Sequence, residues 1–165
     1  MSTTTPIAPE GSTMGAFQLA IDIRRPPADV FAFIAEPQNM PLWYEAVQQV
    51  TKTAANPTGV GSRYEIVRSL PNGPALNDIE VVEYTLKHQV TIESRSGPTP
   101  FRYRYRVEPS HEDTTLTLDG NITNAGLPGP AGHLGGIATQ LFKHGMQQNL
   151  QQLKQILEDP INGAA

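Results

Sequence analysis

The sequence predicts an α+β domain in which a seven-stranded antiparallel sheet wraps around one long C-terminal helix. Three observations lead to this fold class. A first strand is followed by two short, proline-led helices, six further strand patterns follow with short turns between them, and the longest amphipathic helix comes last. Consecutive strands with short turns favour an antiparallel meander. One face of such a sheet must be buried, and the terminal helix is the only large apolar partner available.

The first part of the chain alternates between strand and helix patterns. A strand is predicted over residues 16–24, where apolar and polar residues alternate loosely. Two consecutive prolines end this strand, and proline is well tolerated in the first turn of a helix. A short buried helix is therefore predicted over residues 28–35. A second short helix or turn, which carries Trp43, is predicted over residues 39–46.

The remaining elements follow from apolar patterns and turn residues. The sequence Pro-Asn-Gly-Pro at 71–74 is a strong turn signal. Apolar residues recur at helical spacing on one wide face of the final helix. Strands are predicted over residues 47–53, 62–70, 79–86, 89–95, 101–107 and 114–122, and the helix over residues 134–158.

The length and composition indicate one domain. A chain of 165 residues can bury one sizeable core. Residues 1–15 are rich in Ser, Thr and Pro and lack the basic start and apolar stretch of a secretory signal, so we expect a disordered leader. The domain is then expected over residues 16–159, with a flexible tail over residues 160–165. No apolar run reaches the roughly 18 residues of a membrane span.

Several classes of chemistry are disfavoured by composition. The chain has no cysteine, which excludes a disulfide framework, a thiolate zinc site and a cysteine nucleophile, and which fits a cytoplasmic location. The net charge of −4 argues against a nucleic-acid partner. No histidine pair has metal-ligand spacing, and no phosphate-binding or dinucleotide motif occurs. We expect neither a metal nor a nucleotide cofactor.

The segment at residues 101–107 alternates strictly between two kinds of side chain. Its aromatic residues are predicted to face inward and its arginines outward. A solvated stripe is the simpler interpretation of the arginines, and binding of an anion or membrane surface is the alternative. A buried tyrosine hydroxyl needs a partner. Tyr103 and Tyr105 therefore suggest a cavity with hydrogen-bonding points, unless both hydroxyls reach the rim or water.

Arg68 shares one strand face with Tyr64 and Ile66. If this face is the inner one, Arg68 is a buried cation that requires a partner. A carboxylate or enolate of a ligand could be that partner, and so could Glu83 or Glu93. If the register is reversed, Arg68 lies on the surface.

The final helix carries two unexpected residues on its apolar face. Gly145 and Asn149 lie in the same stripe as Phe142 and Met146. A glycine and an amide there indicate local room and a demand for hydrogen bonds. Close backbone packing at Gly145 and a structural hydrogen bond at Asn149 are the alternatives. Trp43 either contacts a ligand or fills the core beneath it.

Four short segments match motifs of one known superfamily in the same order along the chain. They are a strand that runs into a proline-led helix at residues 23–34, the pattern Pro41-Leu42-Trp43 followed by Val47, the entry Gly-Val-Gly-Ser-Arg-Tyr at 59–64, and Leu-Gln-Gln-Leu-Lys-Gln-Ile-Leu-Glu at 150–158. Together they resemble the START-like, or SRPBCC, superfamily of polyketide cyclases and birch-pollen allergens, over residues 17 to 158. The resemblance implies a helix-grip fold with a tunnel between sheet and helix.

This resemblance implies binding of a small, largely apolar organic ligand, such as a polyketide, a lipid or an aromatic metabolite. The ligand would occupy an internal cavity of a monomer or homodimer. We expect the cavity wall to include Trp43, Tyr64, Arg68, Phe101, Tyr103, Tyr105, Phe142, Gly145, Met146 and Asn149.

Two alternative functions remain open at this stage. A polyketide cyclase or dehydratase would hold a poly-carbonyl substrate and stabilise developing charge, with Arg68, Tyr64, Tyr103 and Tyr105 as the candidate catalytic residues. The sequence offers no obvious general base for such an enzyme, which favours ligand binding. A protein-interaction module similar to Hsp90 co-chaperones is the second alternative, and no exposed apolar stripe in the sequence supports it.

Overall fold

The computed structural model describes residues 14–54, 57–70, 73–111, 113–123 and 135–159. Strand β1 is followed by helix α1, a short 3-10 helix and helix α2, then by six strands and the long helix α3. The bounds are β1 Met14–Ile23, α1 Pro27–Ile34, the 3-10 helix Pro37–Asn39, α2 Met40–Trp43, β2 Val47–Lys52, β3 Arg63–Leu70, β4 Gly73–Thr85, β5 Gln89–Ser96, β6 Phe101–Ser110, β7 Asp113–Thr123 and α3 Gly135–Glu158.

The seven strands form one sheet in the order β1-β7-β6-β5-β4-β3-β2. Every pair of neighbouring strands is antiparallel. The six strands from β2 to β7 are therefore a meander, and β1 adds to its far edge. The predicted fold class, an antiparallel sheet with a long C-terminal helix, is confirmed.

Strand β4 begins six residues earlier than the sequence predicts. Gly73 pairs with Leu70, and Pro74 pairs with Ser69. Pairing between β4 and β5 starts only at Asp78, so the first residues of β4 have a strand neighbour on one side alone. Proline is tolerated at such an edge because its missing N–H has no partner there. The predicted turn at 71–74 was therefore too long.

The other boundaries differ from the predictions by small amounts. β1 starts at Met14 instead of residue 16, and β6 and β7 extend to Ser110 and from Asp113. The second predicted helix, at 39–46, is a 3-10 helix followed by the single turn of α2. The expected leader, the tail, and the glycine-rich stretch at 124–134 lie outside the described residues.

The C-terminal end of α3 is fixed to the end of β1. The Nζ of Lys154 donates to the carbonyl oxygen of Asp22 at 2.6 Å and pairs with Glu158 at 2.7 Å. Glu158 also accepts from the backbone N–H of Arg24 at 2.8 Å. The side chain of Arg25 donates to the carbonyl oxygen of Leu157 at 2.9 Å. Cations near carbonyl groups at a helix C-terminus satisfy orphan acceptors.

The inner face of α3 packs under the sheet. Leu150, Leu153 and Leu157 are all buried, at the spacing of one helical face. The leucines of the segment at 150–158 therefore fill the core, and its lysine and final glutamate hold the helix end on β1.

The outer face of the sheet carries a ladder of ion pairs. Arg102 pairs with Glu93 and, at 3.0 Å, with Glu83. Arg104 also reaches Glu83, at 2.8 Å, and Arg106 pairs with Asp119 at 3.0 Å. The predicted outward direction of the three arginines is confirmed. Carboxylates already neutralise these three arginines, so the arginines are not free cations. This disfavours the alternative that they bind an anion or a membrane surface.

This ladder makes stability sensitive to acid. Hydrogen bonds from Arg104 and Thr91 hold the pKa of Glu83 below its ordinary value. A carboxylate with a lowered pKa stabilises the fold above its unfolded-state pKa of about 4.3, and the contribution is lost as pH falls below that value. We expect urea unfolding midpoints to stay level from pH 7 to pH 5 and to fall below about pH 4.5.

The variant Glu83→Gln should remove part of this acid sensitivity. Its cost at neutral pH is expected to be about 1 kcal/mol or less, because Glu83 is one-third exposed. The matched control is Glu65→Gln, since Glu65 forms no ion pair with any residue that the structure describes. If the acid limb of Glu83→Gln coincided with that of the parent protein, the ladder would not be its cause.

Candidate functional site

Strand β3 directs an arginine into the interior. Tyr64, Ile66 and Arg68 are all buried, whereas Arg63 and Ser69 are exposed. The question of register that the sequence left open is thereby answered. The side chain of Arg68 is only 4% exposed, so a full positive charge lies inside the domain.

Neutral groups hold the Arg68 guanidinium in place. Its Nε and Nη2 donate to Oδ1 of Asn77 at 3.0 and 2.9 Å. Nη2 also donates to the carbonyl oxygen of Pro98 at 2.7 Å, and to the carbonyl and hydroxyl oxygens of Thr99. The guanidinium carbon lies 5.0 Å from the centre of the Phe101 ring. We call Asn77, Pro98 and Thr99 the arginine clamp.

The predicted protein carboxylates are not partners of Arg68. Glu83 and Glu93 lie on the outer face with Arg102 and Arg104, because side chains alternate between the two faces of a strand. That expectation was wrong. Among the described residues, no carboxylate forms an ion pair with Arg68, and its Nη1 makes no hydrogen bond.

Two tyrosine hydroxyls lie within the electrostatic reach of Arg68. Tyr44 donates to the hydroxyl of Tyr103 at 3.1 Å, and both residues are buried. Burial raises the pKa of both hydroxyls, and the positive charge of Arg68 offsets part of this rise. Both tyrosines are therefore neutral hydrogen-bond donors at ordinary pH. Because Tyr103 accepts from Tyr44, its own hydroxyl proton has no acceptor among the described residues.

An aromatic cluster continues from these tyrosines along the interior. The Phe101 and Tyr103 rings stack with centres 4.8 Å apart. The ring centre of Trp43 is 5.7 Å from that of Tyr44 and 6.0 Å from that of Tyr105, the latter edge to face. Trp43 thus fills the core and also belongs to the wall around the tyrosines.

Two polar atoms of this cluster are buried without partners in the described part of the chain. Neither Nε1 of Trp43 nor the hydroxyl of Tyr105 has a hydrogen-bond partner among the described residues. Both side chains are almost fully buried. Both residues are predicted from the sequence to line the cavity, but no sequence pattern indicates that their polar atoms lack partners among the described residues.

Tyr64 is buried, but its hydroxyl is engaged elsewhere. It lies 3.0 Å from the hydroxyl of Thr58, which donates to the Glu36 carboxylate at 2.8 Å. No hydrogen bond connects Tyr64 with Arg68. The structure therefore does not bring these two candidate catalytic residues together, whereas Tyr44, which the sequence analysis missed, is close to Arg68.

The candidates on α3 have different environments. Asn149 is buried and accepts from the backbone N–H of Glu45 at 3.2 Å, so it has the structural hydrogen bond considered above. Its amide nitrogen reaches only the sulfur of Met146, at 3.4 Å, within the described part of the chain. A Cβ on Gly145 would meet no atom of the described residues within 4 Å, so close packing against them does not explain this glycine. The side chain of Phe142 is outside the part that the structure describes.

A separate groove lies on the surface beside α1. Its volume is about 310 Å³, and its walls include Phe31 of α1 and Tyr84 and Leu86 near the end of β4. It contains none of the predicted ligand-binding residues. The internal cavity predicted from the sequence is a different feature and stays a prediction.

The matched family model agrees with this fold. A model described as polyketide cyclase / dehydrase and lipid transport matches residues 14–158. The chain therefore belongs to this family of the START-like superfamily, as its motifs predicted. None of the curated protein sequences matches the chain.

Solved structures show the same fold at low sequence identity. A protein from Thermus thermophilus has a TM-score of 0.71 and 16% identity, over 85% of this chain and 94% of that chain. The di-domain ARO/CYC StfQ from the steffimycin biosynthetic pathway has a TM-score of 0.68 and 12% identity, over 86% of this chain and 50% of its own. A START superfamily protein from Mycobacterium smegmatis has a TM-score of 0.62 and 14% identity, over 84% of this chain and 99% of that chain.

No helix in the described part of the chain has the length and apolar character needed to cross a bilayer.

Proposed function

We propose that the protein binds a small, largely apolar organic ligand inside the domain and holds an acidic or carbonyl oxygen of that ligand at Arg68. The observation that carries this proposal is the buried guanidinium. It is fixed by neutral acceptors and has no carboxylate partner among the described residues. A desolvated cation without a counter-charge is costly, so an oxygen with negative charge would be bound favourably there.

The surroundings of Arg68 supply the rest of such a site. Its Nη1 has two N–H groups that no described residue accepts, and the free hydroxyl proton of Tyr103 adds another donor. Phe17 and Phe101 flank Tyr103 with ring centres 6.3 and 4.8 Å away, which offers aromatic surface for the apolar part of a ligand.

A cyclase or dehydratase is the second candidate function. The observation in its favour is the set of neutral hydroxyls beside a cation, which can stabilise the negative oxygen of an enolate. No carboxylate or imidazole among the described residues hydrogen-bonds with Arg68, Tyr44 or Tyr103. We therefore place ligand binding first. The similarity to a di-domain ARO/CYC supports the alternative at the level of the fold alone.

Location and domain organisation complete the proposal. We propose a single domain over residues 16–159 in a cytoplasmic protein, and the lack of cysteine supports this compartment. The other alternative, a protein-interaction module, would need a binding surface on the outside of the domain. The buried polar groups described above do not support it.

The test compares an acidic ligand with a neutral one. Naphthoate and ethylnaphthalene are titrated by calorimetry against the parent protein and Arg68→Ala. We expect naphthoate affinity to fall by about 10- to 100-fold, the scale of a charged hydrogen bond of about 1.5–3 kcal/mol. Ethylnaphthalene should bind almost unchanged. Native mass spectrometry of protein from its source would then identify a co-purified ligand.

Arg104→Ala is the matched control, because Arg104 lies on the outer face and should affect neither ligand. Equal losses for both ligands in Arg68→Ala would assign a structural role to Arg68. No loss for either ligand would remove Arg68 from the binding site.

A further inference from the structure

The interior contains a second polar region, formed by Trp43 and Tyr105. Their side chains are 3% and 2% exposed, and Nε1 of Trp43 and the hydroxyl of Tyr105 are both unpaired among the described residues. Buried polar groups in folded proteins almost always have hydrogen-bond partners. It is therefore unusual that two such groups lack partners among the described residues while their rings contact each other edge to face, with centres 6.0 Å apart.

The chemistry of these two groups defines what is missing. An indole N–H only donates, and a phenol hydroxyl both donates and accepts. A group that serves both must be an acceptor, which excludes a hydrocarbon chain and an ammonium group. No cation of the described chain hydrogen-bonds with either group, so an anion would be desolvated there without compensation. Burial also raises the pKa of Tyr105 well above its ordinary value, which keeps this hydroxyl protonated.

The second region lies close to the first. Tyr103 and Tyr105 are alternate residues of β6 and face the same side of the sheet. Alternate residues of a strand are about 7 Å apart. One aromatic ligand of modest size can therefore reach from the Arg68 region to Trp43 and Tyr105.

We propose that Trp43 and Tyr105 bind an uncharged oxygen of the ligand, such as that of a ketone, ether or phenol, while its acidic or carbonyl end lies at Arg68. This inference rests on the proposed function and narrows its ligand class. The site selects aromatic acids with a second, distal oxygen, and it disfavours fatty acids, whose hydrocarbon chains leave both groups unpaired.

Two matched ligands test the proposal. One is a naphthoate with a hydroxyl group at the ring carbon farthest from the carboxylate, and the other carries a methyl group in its place. We expect the parent protein to bind the hydroxyl compound about 5- to 10-fold more tightly, the effect of a neutral hydrogen bond. Trp43→Phe and Tyr105→Phe each remove one polar group and keep an aromatic ring. Each should reduce the preference to about twofold or less.

Tyr84→Phe is the control variant, since Tyr84 lines the surface groove and should leave the preference unchanged. The thermal midpoint of ligand-free Tyr105→Phe supplies a second measurement. Removing an unpaired buried hydroxyl should leave this midpoint unchanged or raise it. A clear fall, together with no ligand preference, would mean that the groups bind structural water only, and the proposal would be overturned.

The outcomes separate this inference from the proposed function. Loss of affinity for both naphthoates in Arg68→Ala, with no preference for the hydroxyl compound in the parent protein, would overturn the second region alone. A preference that Trp43→Phe and Tyr105→Phe reduce, without any effect of Arg68→Ala, would overturn the role of Arg68 alone. If the parent protein bound neither naphthoate, both proposals would fail.

Discussion

Replacement of Asn77 by alanine is expected to lower the free energy of unfolding by about 3–5 kcal/mol, because two hydrogen bonds to a buried cation, each worth about 1.5–3 kcal/mol, are lost together. Asn77 is fully buried and accepts two hydrogen bonds from Arg68. Its amide nitrogen donates to the carbonyl oxygens of Ser96 and Pro98, at 3.1 and 2.9 Å. Truncation removes two hydrogen bonds from the cation and one donor from each carbonyl oxygen at once. Urea unfolding, followed by fluorescence of the single tryptophan, measures the change.

Asn39→Ala is the matched control for this prediction. Its amide donates one hydrogen bond, to the carbonyl oxygen of Phe33 at 3.0 Å, so a cost of about 1 kcal/mol is expected. In the double variant Arg68→Met/Asn77→Ala, no buried cation remains to be left unpaired. The double variant should therefore lose less stability than the sum of its single variants. An Asn77→Ala cost no larger than that of Asn39→Ala would show that the arginine clamp is not important for stability.

The fold was predictable because its main patterns are local. The alternation at residues 101–107 gave the inner and outer faces of β6, and the structure buries its residues in that alternation. The helical spacing of Leu150, Leu153 and Leu157 gave the buried face of α3. Periodicities of two and 3.6 residues follow directly from strand and helix geometry. Both periodicities can be recognised in the sequence without knowing which strands are neighbours in the sheet.

The partners of Arg68 were not predictable in the same way. Asn77 falls before the predicted start of β4, and Thr99 falls in a predicted turn, so both polar residues were expected in loops. Their burial arises from the pairing of β4 with β3 and from the path of the chain between β5 and β6. Tyr44 follows a helix of one turn, where no periodicity indicates a direction. These positions depend on tertiary contacts between segments that are distant in sequence.

The same limit explains the mistaken partners Glu83 and Glu93. Both were considered because a buried cation usually pairs with a carboxylate. Sequence distance could not show that each pairs with Arg102 on the other side of the sheet. Neutral acceptors took the place of a carboxylate, so the charge of Arg68 has no counter-charge among the described residues. The neutral contacts of Arg68, which the sequence did not predict, are thus the ones on which the proposed ligand site depends.

Gly97→Ala is expected to destabilise the protein by about 2–6 kcal/mol, from backbone strain of about 1–3 kcal/mol and steric overlap of a similar size. Gly97 has a φ of +104°, which side-chain-bearing residues rarely adopt. A Cβ there would overlap the backbone carbonyl oxygen of Leu76 and lie 2.7 Å from the side-chain amide nitrogen of Asn77. The backbone oxygen cannot move aside without breaking the alignment of β4, so the overlap displaces the segment at 97–99.

Gly73→Ala separates strain from overlap. Gly73 has a φ of +117°, but a Cβ on it would meet nothing within 4 Å, so only the strain of about 1–3 kcal/mol is expected. Gly97→Ala should also weaken naphthoate binding, because Pro98 and Thr99 hold Arg68 through the displaced segment. Gly73→Ala should leave that binding unchanged. Equal unfolding costs in urea for the two variants would show that the chain absorbs the overlap at Gly97. Normal naphthoate affinity in folded Gly97→Ala would show that Arg68 does not need the carbonyl oxygens of this segment for its position.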